Sequence, residues 1–272
     1  MSKFSKRMRE KYKKSNKKSI AIYFILRIFV IISMIAQIVL GNFGNAVMCV
    51  IVLILFTVPT FIEDKLKIEF PSALEGLVYI FIFSSSILGT VNDFYRLIPI
   101  WDTILHTLNG FICAGIGFSL VDILNNNSSR FKLSPLYVAI VAFCFSMTIG
   151  VLWEFYEFSS DYLRRTDMQR DRIVKCISSI ELNEKEKSTP VKVDNIEKTE
   201  IYSRDGKITT IEGGYLDIGI RDTMKDLLVN LIGAIIFSII GFLYVSNRDK
   251  YKFVGNFIPK KEENYYESNG NI

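Results

Sequence analysis

Histidine is nearly missing from this chain: His106 is the single one among 272 residues. One imidazole excludes the histidine-rich ligand sets in which zinc usually sits. Cysteine is scarce as well. Cys49, Cys113 and Cys144 lie in apolar runs, Cys176 stands alone in a polar stretch, and no pair has the spacing of a metal site or a disulfide framework. No serine or cysteine nucleophile motif stands out, and the Pro-Ser-Gly-His type of pattern found in lipid phosphatases is absent. No internal repeat is evident. The net charge is +5, yet no basic module interleaved with aromatics is present, which argues against nucleic acid as a partner. The first apolar run is too long for a signal-peptide core and lacks a small-residue cleavage site, so it is expected to stay as a span.

What is abundant is apolar sequence. Half of the residues are hydrophobic and 13% are aromatic, in a chain that still carries 22% charge. The two kinds are segregated along the chain, as in a protein that crosses a membrane several times. A span needs about 20 mostly apolar residues. Six stretches qualify: Ser19–Leu40, Phe43–Ile62, Ser72–Val91, Thr103–Leu124, Leu136–Ser160 and Asp226–Val245. The expectation is an all-α polytopic membrane protein with six transmembrane helices. Residues 1–18 form a basic tail, 19–160 hold the first five helices, 161–225 a polar loop, 226–245 the sixth helix and 246–272 a second tail. Within the loop, "EIYSRDGKITTI" alternates around Asp205-Gly206, a β-hairpin signal, and "NEKEKSTP" ahead of it reads as a solvated linker. Abundant Ile, Asn and Lys suit a low-GC bacterium, so the expected location is a bacterial cell membrane.

Orientation follows from the basic residues. Nine of the first eighteen residues are Lys or Arg. With the N-terminus inside, the inner segments carry eighteen basic residues and the two short outer loops carry one, Arg96. The long loop is itself rich in Lys and Arg, a counter-signal, but long segments translocate largely regardless of charge. Both termini are therefore expected in the cytoplasm and the 161–225 loop outside. The basic tail beside the first span is also a natural contact for anionic lipid.

The ionisable residues in or beside the spans are not scattered. Asp102 and His106 open the fourth span, Glu154, Glu157 and Asp161 close the fifth, and Asp222, Asp226 and Asn230 open the sixth. With the orientation above, all eight fall at the outer end. Asp102, His106 and Asn109 are spaced four and three apart, Glu154, Glu157 and Asp161 three and four, and Asp222, Asp226 and Asn230 four and four. Each set therefore lies on one helical face. An Asp at a helix start is often only a cap, favoured by the dipole. That accounts equally well for Asp102 or Asp222 taken alone. It does not account for acids at a helix C-terminus, although Asp161 can pair with Arg164 or Arg165. Charges inside a membrane are costly and mark working sites by default. Trp153 suits the interface belt or a wall of the polar pocket. Arg27 and Glu75 sit toward the other end of their spans and read as structural, paired with each other or snorkelling separately. Gly110 with Ala114, and Gly233 with Phe237 and Gly241, read as packing faces.

"WDTILHTLNG", "WEFYEFSSD" and "GGYLDIGIRDTMKDLLVNLIGA" resemble the YjdF-type bacterial inner-membrane proteins, and more distantly the VanZ-like membrane proteins of envelope biology. The resemblance covers roughly residues 70–245. It implies Asp102, His106, Glu154, Glu157, Asp222, Asp226 and Asn230 as the positions to carry over. The VanZ-like pattern has Glu-x-x-Gln where this chain has Glu154 and Glu157.

Three functions fit. The first is a membrane-embedded hydrolase or transferase acting on an envelope or lipid-linked substrate at the outer leaflet. Its carboxylates Asp102, Glu154, Glu157, Asp222 and Asp226 would hold a hard cation such as Mg, Mn or Ca, or Glu154, Glu157 and Asp226 would serve as acid and base with His106 as proton shuttle. Asn109, Trp153, Asp161 and Asn230 would line the pocket. The second is an ion- or proton-coupled carrier with the same residues as transient ligands. The third is a non-catalytic protein that captures an envelope ligand.

Overall fold

A computed structural model describes residues 17–66, 68–127, 132–186 and 188–261. Most of the basic N-terminal tail with its proposed lipid contact, Lys67, Arg130 and the C-terminal tail beyond residue 261 lie outside the described residues. Among the described residues, six helical stretches are long and apolar enough to cross a membrane. The first is α1, Lys17–Val39. The second is formed by α2, Phe43–Leu55, and α3, Val58–Leu66, with Pro59 at the start of α3. The third is α4, Ser72–Phe83, continued by a π-helical stretch, Ser84–Val91. The last three are α5, Trp101–Asn127, α6, Pro135–Arg164, and α7, Ile220–Ser246. The sixth helix thus begins six residues ahead of the apolar run. The polar "IRDTMK" is helical because Asp217 caps it: its Oδ2 accepts the Arg221 N–H at 3.0 Å.

The segment between α6 and α7 carries three antiparallel strand pairs. β2 (Arg172–Val174) pairs with β7 (Tyr215–Asp217), and β3 (Ile177–Ser179) with β4 (Val191–Val193). β5 (Lys198–Tyr202) pairs with β6 (Ile208–Glu212) through the expected turn, where Gly206 takes a φ of +83°. Glycine adopts that left-handed conformation without a Cβ penalty. β1 (Ile68–Glu69) pairs with β8 (Lys260–Lys261).

The chain falls into two compact units, one of residues 1–150 and 229–272 and the other of residues 151–228. The first holds most of the spans. Tyr23, Val30, Cys49, Val52, Phe56 and Tyr79 join the first three spans in one apolar cluster. Leu74 and Ile112 join α4 to α5, and Ala114, Phe118, Ala142 and Phe237 join α5, α6 and α7. The outward faces are apolar as well. Phe24, Ile28, Phe29 and Ile32 on α1 are each about half exposed or more. Such a surface has no favourable exposure to water and matches hydrocarbon. In the second unit, the end of α6, the strand pairs and the first turns of α7 pack with one another.

Arg27 and Glu75 do not simply meet. The Arg27 guanidinium donates to the Tyr23 hydroxyl, the Tyr79 hydroxyl donates to Glu75 Oε1 at 2.8 Å, and the two tyrosine rings lie 5.1 Å apart. Both charges thus hold a tyrosine four residues away on their own helix.

Candidate functional site

In the first unit the site begins where α5 and α7 cross. An added Cβ on Gly110 would run into the Asn230 carbonyl, and one on Gly233 into the Thr107 carbonyl. Two glycines facing opposite backbones let the helix axes approach as ordinary side chains would not. That crossing brings polar groups together. Asn109 Nδ2 donates to Asn230 Oδ1 at 3.0 Å, and Asn230 Nδ2 points at Met147 Sδ at 3.6 Å. Gly150 on α6 leaves the room: a Cβ there would sit 2.6 Å from Asn230 Nδ2. Ser146 Oγ donates to the Gly110 carbonyl at 2.7 Å. Asn230 is 1% exposed, so its amide is held by protein alone.

Along the same face of α5, one turn and two turns toward the helix start, lie His106 and Asp102. His106 Nε2 is 3.5 Å from Asp102 Oδ1, and both side chains are buried. A carboxylate beside an imidazole fixes the ring's orientation and favours its role as ligand or proton carrier. Trp101, next to them, donates its indole N–H to the Ser84 carbonyl at 3.3 Å, in the π-helical stretch. Stretches of π-helix free carbonyls for such partners.

In the second unit five acids on the two helix ends have distinct surroundings. Glu157 accepts the Trp153 indole N–H at 2.8 Å, and Glu154 is 4% exposed. The Trp153 ring is itself 45% exposed, as befits an interfacial aromatic. Asp161 does not pair with Arg164 or Arg165. Its oxygens accept from the Thr166 hydroxyl and from the Met168 and Gln169 N–H groups at 2.7–2.8 Å, which closes the end of α6 into a turn. Arg164 turns back to Ser160 Oγ instead, at 2.8 Å. Asp222 is taken by the loop: Oδ1 meets Arg172 Nη2 at 2.7 Å and Oδ2 accepts the Arg170 N–H at 3.2 Å. Gln169 Nε2 adds a bond to Thr223 Oγ1 at 2.6 Å. Asp222 and Asp161 therefore anchor the loop to the helices. Asp226 is 2% exposed, with Lys225 Nζ 3.4 Å from its Oδ1.

Sequence reasoning missed several of these partners. Arg172 and Gln169 reach residues about fifty positions away, and no local pattern marks them. Ser146 and Gly150 had a signal, four-residue spacing on the face that continues to Glu154 and Glu157, but no charge drew attention to them.

Six long apolar helices, with polar and ionisable side chains buried along several of them, define a polytopic membrane protein. The family comparison makes this specific. Residues 20–247 match the model of a family described as "Predicted membrane protein (DUF2238)", and the chain belongs to that family. An uncharacterised protein of Thermotoga maritima is 29% identical over 93 residues, which is 34% of this chain and 46% of that protein, so the match spans less than half the relative's length. No solved structure matches.

Proposed function

We propose that this protein is a multi-pass protein of the bacterial cell membrane, with both termini cytoplasmic, whose polar centre at the outer leaflet binds a hard divalent cation and acts on an envelope or lipid-linked substrate by hydrolysis or group transfer. The buried carboxylates Asp102 and Asp226 are assigned as ligands, and the buried His106 as the proton carrier. Glu154 and Glu157 are assigned as further ligands or as acid and base. Asp222 and Asp161, taken by the loop, are assigned to positioning. The wider VanZ-like likeness belongs to the same proposal.

The observation that carries it is the buried Asp102–His106 pair, one turn from the Asn109–Asn230 bond. Two groups that water would otherwise solvate are held on one face, in a stretch whose apolar surroundings make an uncompensated charge costly. A cation held by oxygens at about 2.0–2.6 Å would offset that cost. When bound, such an ion polarises a phosphoryl or carbonyl oxygen. His106, oriented by Asp102, would take or give a proton at its other ring nitrogen.

Metal content of detergent-purified protein tests this. Mg, Mn or Ca is expected at a fixed ratio in the wild type and is expected to drop in Asp226→Ala and Asp102→Asn. A wild type that binds none of the three from solution would remove the cation from the mechanism.

A further inference from the structure

In the second unit two cations stand on the acidic stripe of α7, and the function proposed above uses neither. Arg172, the first residue of β2, puts Nη2 2.7 Å from Asp222 Oδ1. Lys225 puts Nζ 3.4 Å from Asp226 Oδ1. Asp222 and Asp226 are four residues apart and share a helical face, so the two cationic heads are held about one turn of α7 apart. Neighbouring residues of a helix point about 100° apart, so the Lys225 stem crosses the surface of α7 to bring its ammonium to that face. The Arg170 N–H on Asp222 Oδ2 and the Gln169–Thr223 bond fasten the loop alongside and fix the direction from which Arg172 arrives.

We propose that Arg172 and Lys225 together bind a phosphate group, and that this group is the anionic part of the ligand on which the protein acts. The phosphate site stands on its own geometry; its service to a reaction rests on the function proposed above. Exposure is the first argument. The two acids are 3% and 2% exposed, while the Arg172 and Lys225 side chains are 47% and 33% exposed. Neutralising a buried acid does not require its cation to stay open. A guanidinium carries five N–H donors and an ammonium three, more than one carboxylate oxygen accepts. The acids hold the two heads in place, and the open part of each is left for an anion.

Shape and charge are the second argument. One cation is a planar fork and the other a point charge, and they come from different directions. A phosphate monoester offers three outward oxygens and nearly two negative charges at neutral pH, so it meets both. A carboxylate has two coplanar oxygens and one charge, and does not. Position is the third argument. Both cations sit on the first two turns of α7, which begins at Ile220, where the helix dipole favours an anion. One consequence ties this site to the proposed cation. An ion seated on Asp226 takes the oxygen that Lys225 faces and turns the ammonium over to the phosphate. Ion and phosphate then strengthen one another, and by linkage they do so equally.

The test uses the full chain in phosphatidylcholine nanodiscs, with binding of methyl phosphate read by calorimetry and acetate as the carboxylate control. Lys225→Gln, and the double variant Arg172→Gln with Asp222→Asn, which strands no buried charge, should each weaken methyl phosphate about tenfold. Lys225→Arg keeps the charge and should retain most of the affinity. Lys207→Gln, at the turn of the β5–β6 hairpin, should change nothing. A wild type that binds methyl phosphate no better than acetate overturns the proposal. So does affinity that survives both site variants, or that falls equally in Lys207→Gln. Replacing part of the lipid by phosphatidylglycerol identifies the source of the phosphate: competition marks a bilayer head group, and its absence marks the phosphate end of a substrate. Mg should tighten methyl phosphate about fivefold. If methyl phosphate binds and answers to the variants while no divalent cation binds, the cation centre fails and the phosphate site stands. If Mg binds and methyl phosphate does not, the phosphate site alone fails.

Discussion

At the scale of single residues, the same side chain means different things in different company. Asp222 sits on the acidic stripe of α7 and looks like a ligand in sequence, yet Arg172 and the Arg170 N–H take both its oxygens. Removing Arg172 leaves a carboxylate that is 3% exposed with one remaining donor. Because the Arg172 side chain is itself 47% exposed, we expect Arg172→Ala to cost about 1–3 kcal/mol rather than the full price of a buried pair. In a double-mutant cycle, Asp222→Asn should recover part of it, read by denaturant unfolding. Asp171, in the loop, is held above the ordinary carboxylate range by burial first and then by the nearby charges of Asp167, Asp161 and Asp217. A raised carboxyl weakens the fold once it ionises. Its destabilising effect is absent below the ordinary Asp range and grows as pH climbs through the raised value. Asp171→Asn should therefore raise the melting temperature at neutral pH and make no difference in acid. Neither residue's role was legible beforehand, since each depends on strands β2 and β7 meeting across about forty residues.

At the scale of elements, the decisive feature is the crossing of α5 and α7. Gly110 and Gly233 each face the opposite backbone, and no side chain movement can make room for a methyl group there. Gly110→Ala and Gly233→Ala should each cost about 1–3 kcal/mol or more through overpacking. Both should also disturb the Asn109–Asn230 bond that the crossing sets. Gly44, with nothing within 4 Å of an added Cβ, is the control and should tolerate alanine. Detergent-resistant melting of the three variants checks the contrast. The small-residue spacing of these glycines was readable as a packing face. Which helix lay opposite was not, because a GxxxG-like stripe carries no address. The β5–β6 hairpin was readable for the opposite reason: Asp205-Gly206 is a local turn whose two strands are its immediate neighbours. Of the other pairs, β1–β8 and β2–β7 join distant segments and β3–β4 closes a longer connection without a tight turn, so none left such a mark.

At the scale of the whole molecule, the proposed orientation puts the 161–225 loop outside the cell. Cysteine introduced at the exposed Ser188 should react with a membrane-impermeant maleimide on intact cells, in a background with the native cysteines replaced. Labelling only after lysis would place the loop on the cytoplasmic side. The sequence by itself determined that this is a membrane protein with six spanning stretches, because hydrocarbon selects for long apolar runs whatever their partners. It also determined that acids, an imidazole and amides share helical faces, because helical periodicity is local. Only the tertiary structure decided which of them touch. It joined Asn109 to Asn230 across 121 residues and gave Asp222 to Arg172. Those outcomes depend on which helix faces touch, and among surfaces of nearly uniform apolar character that choice rests on shape: two glycines and the close approach they allow.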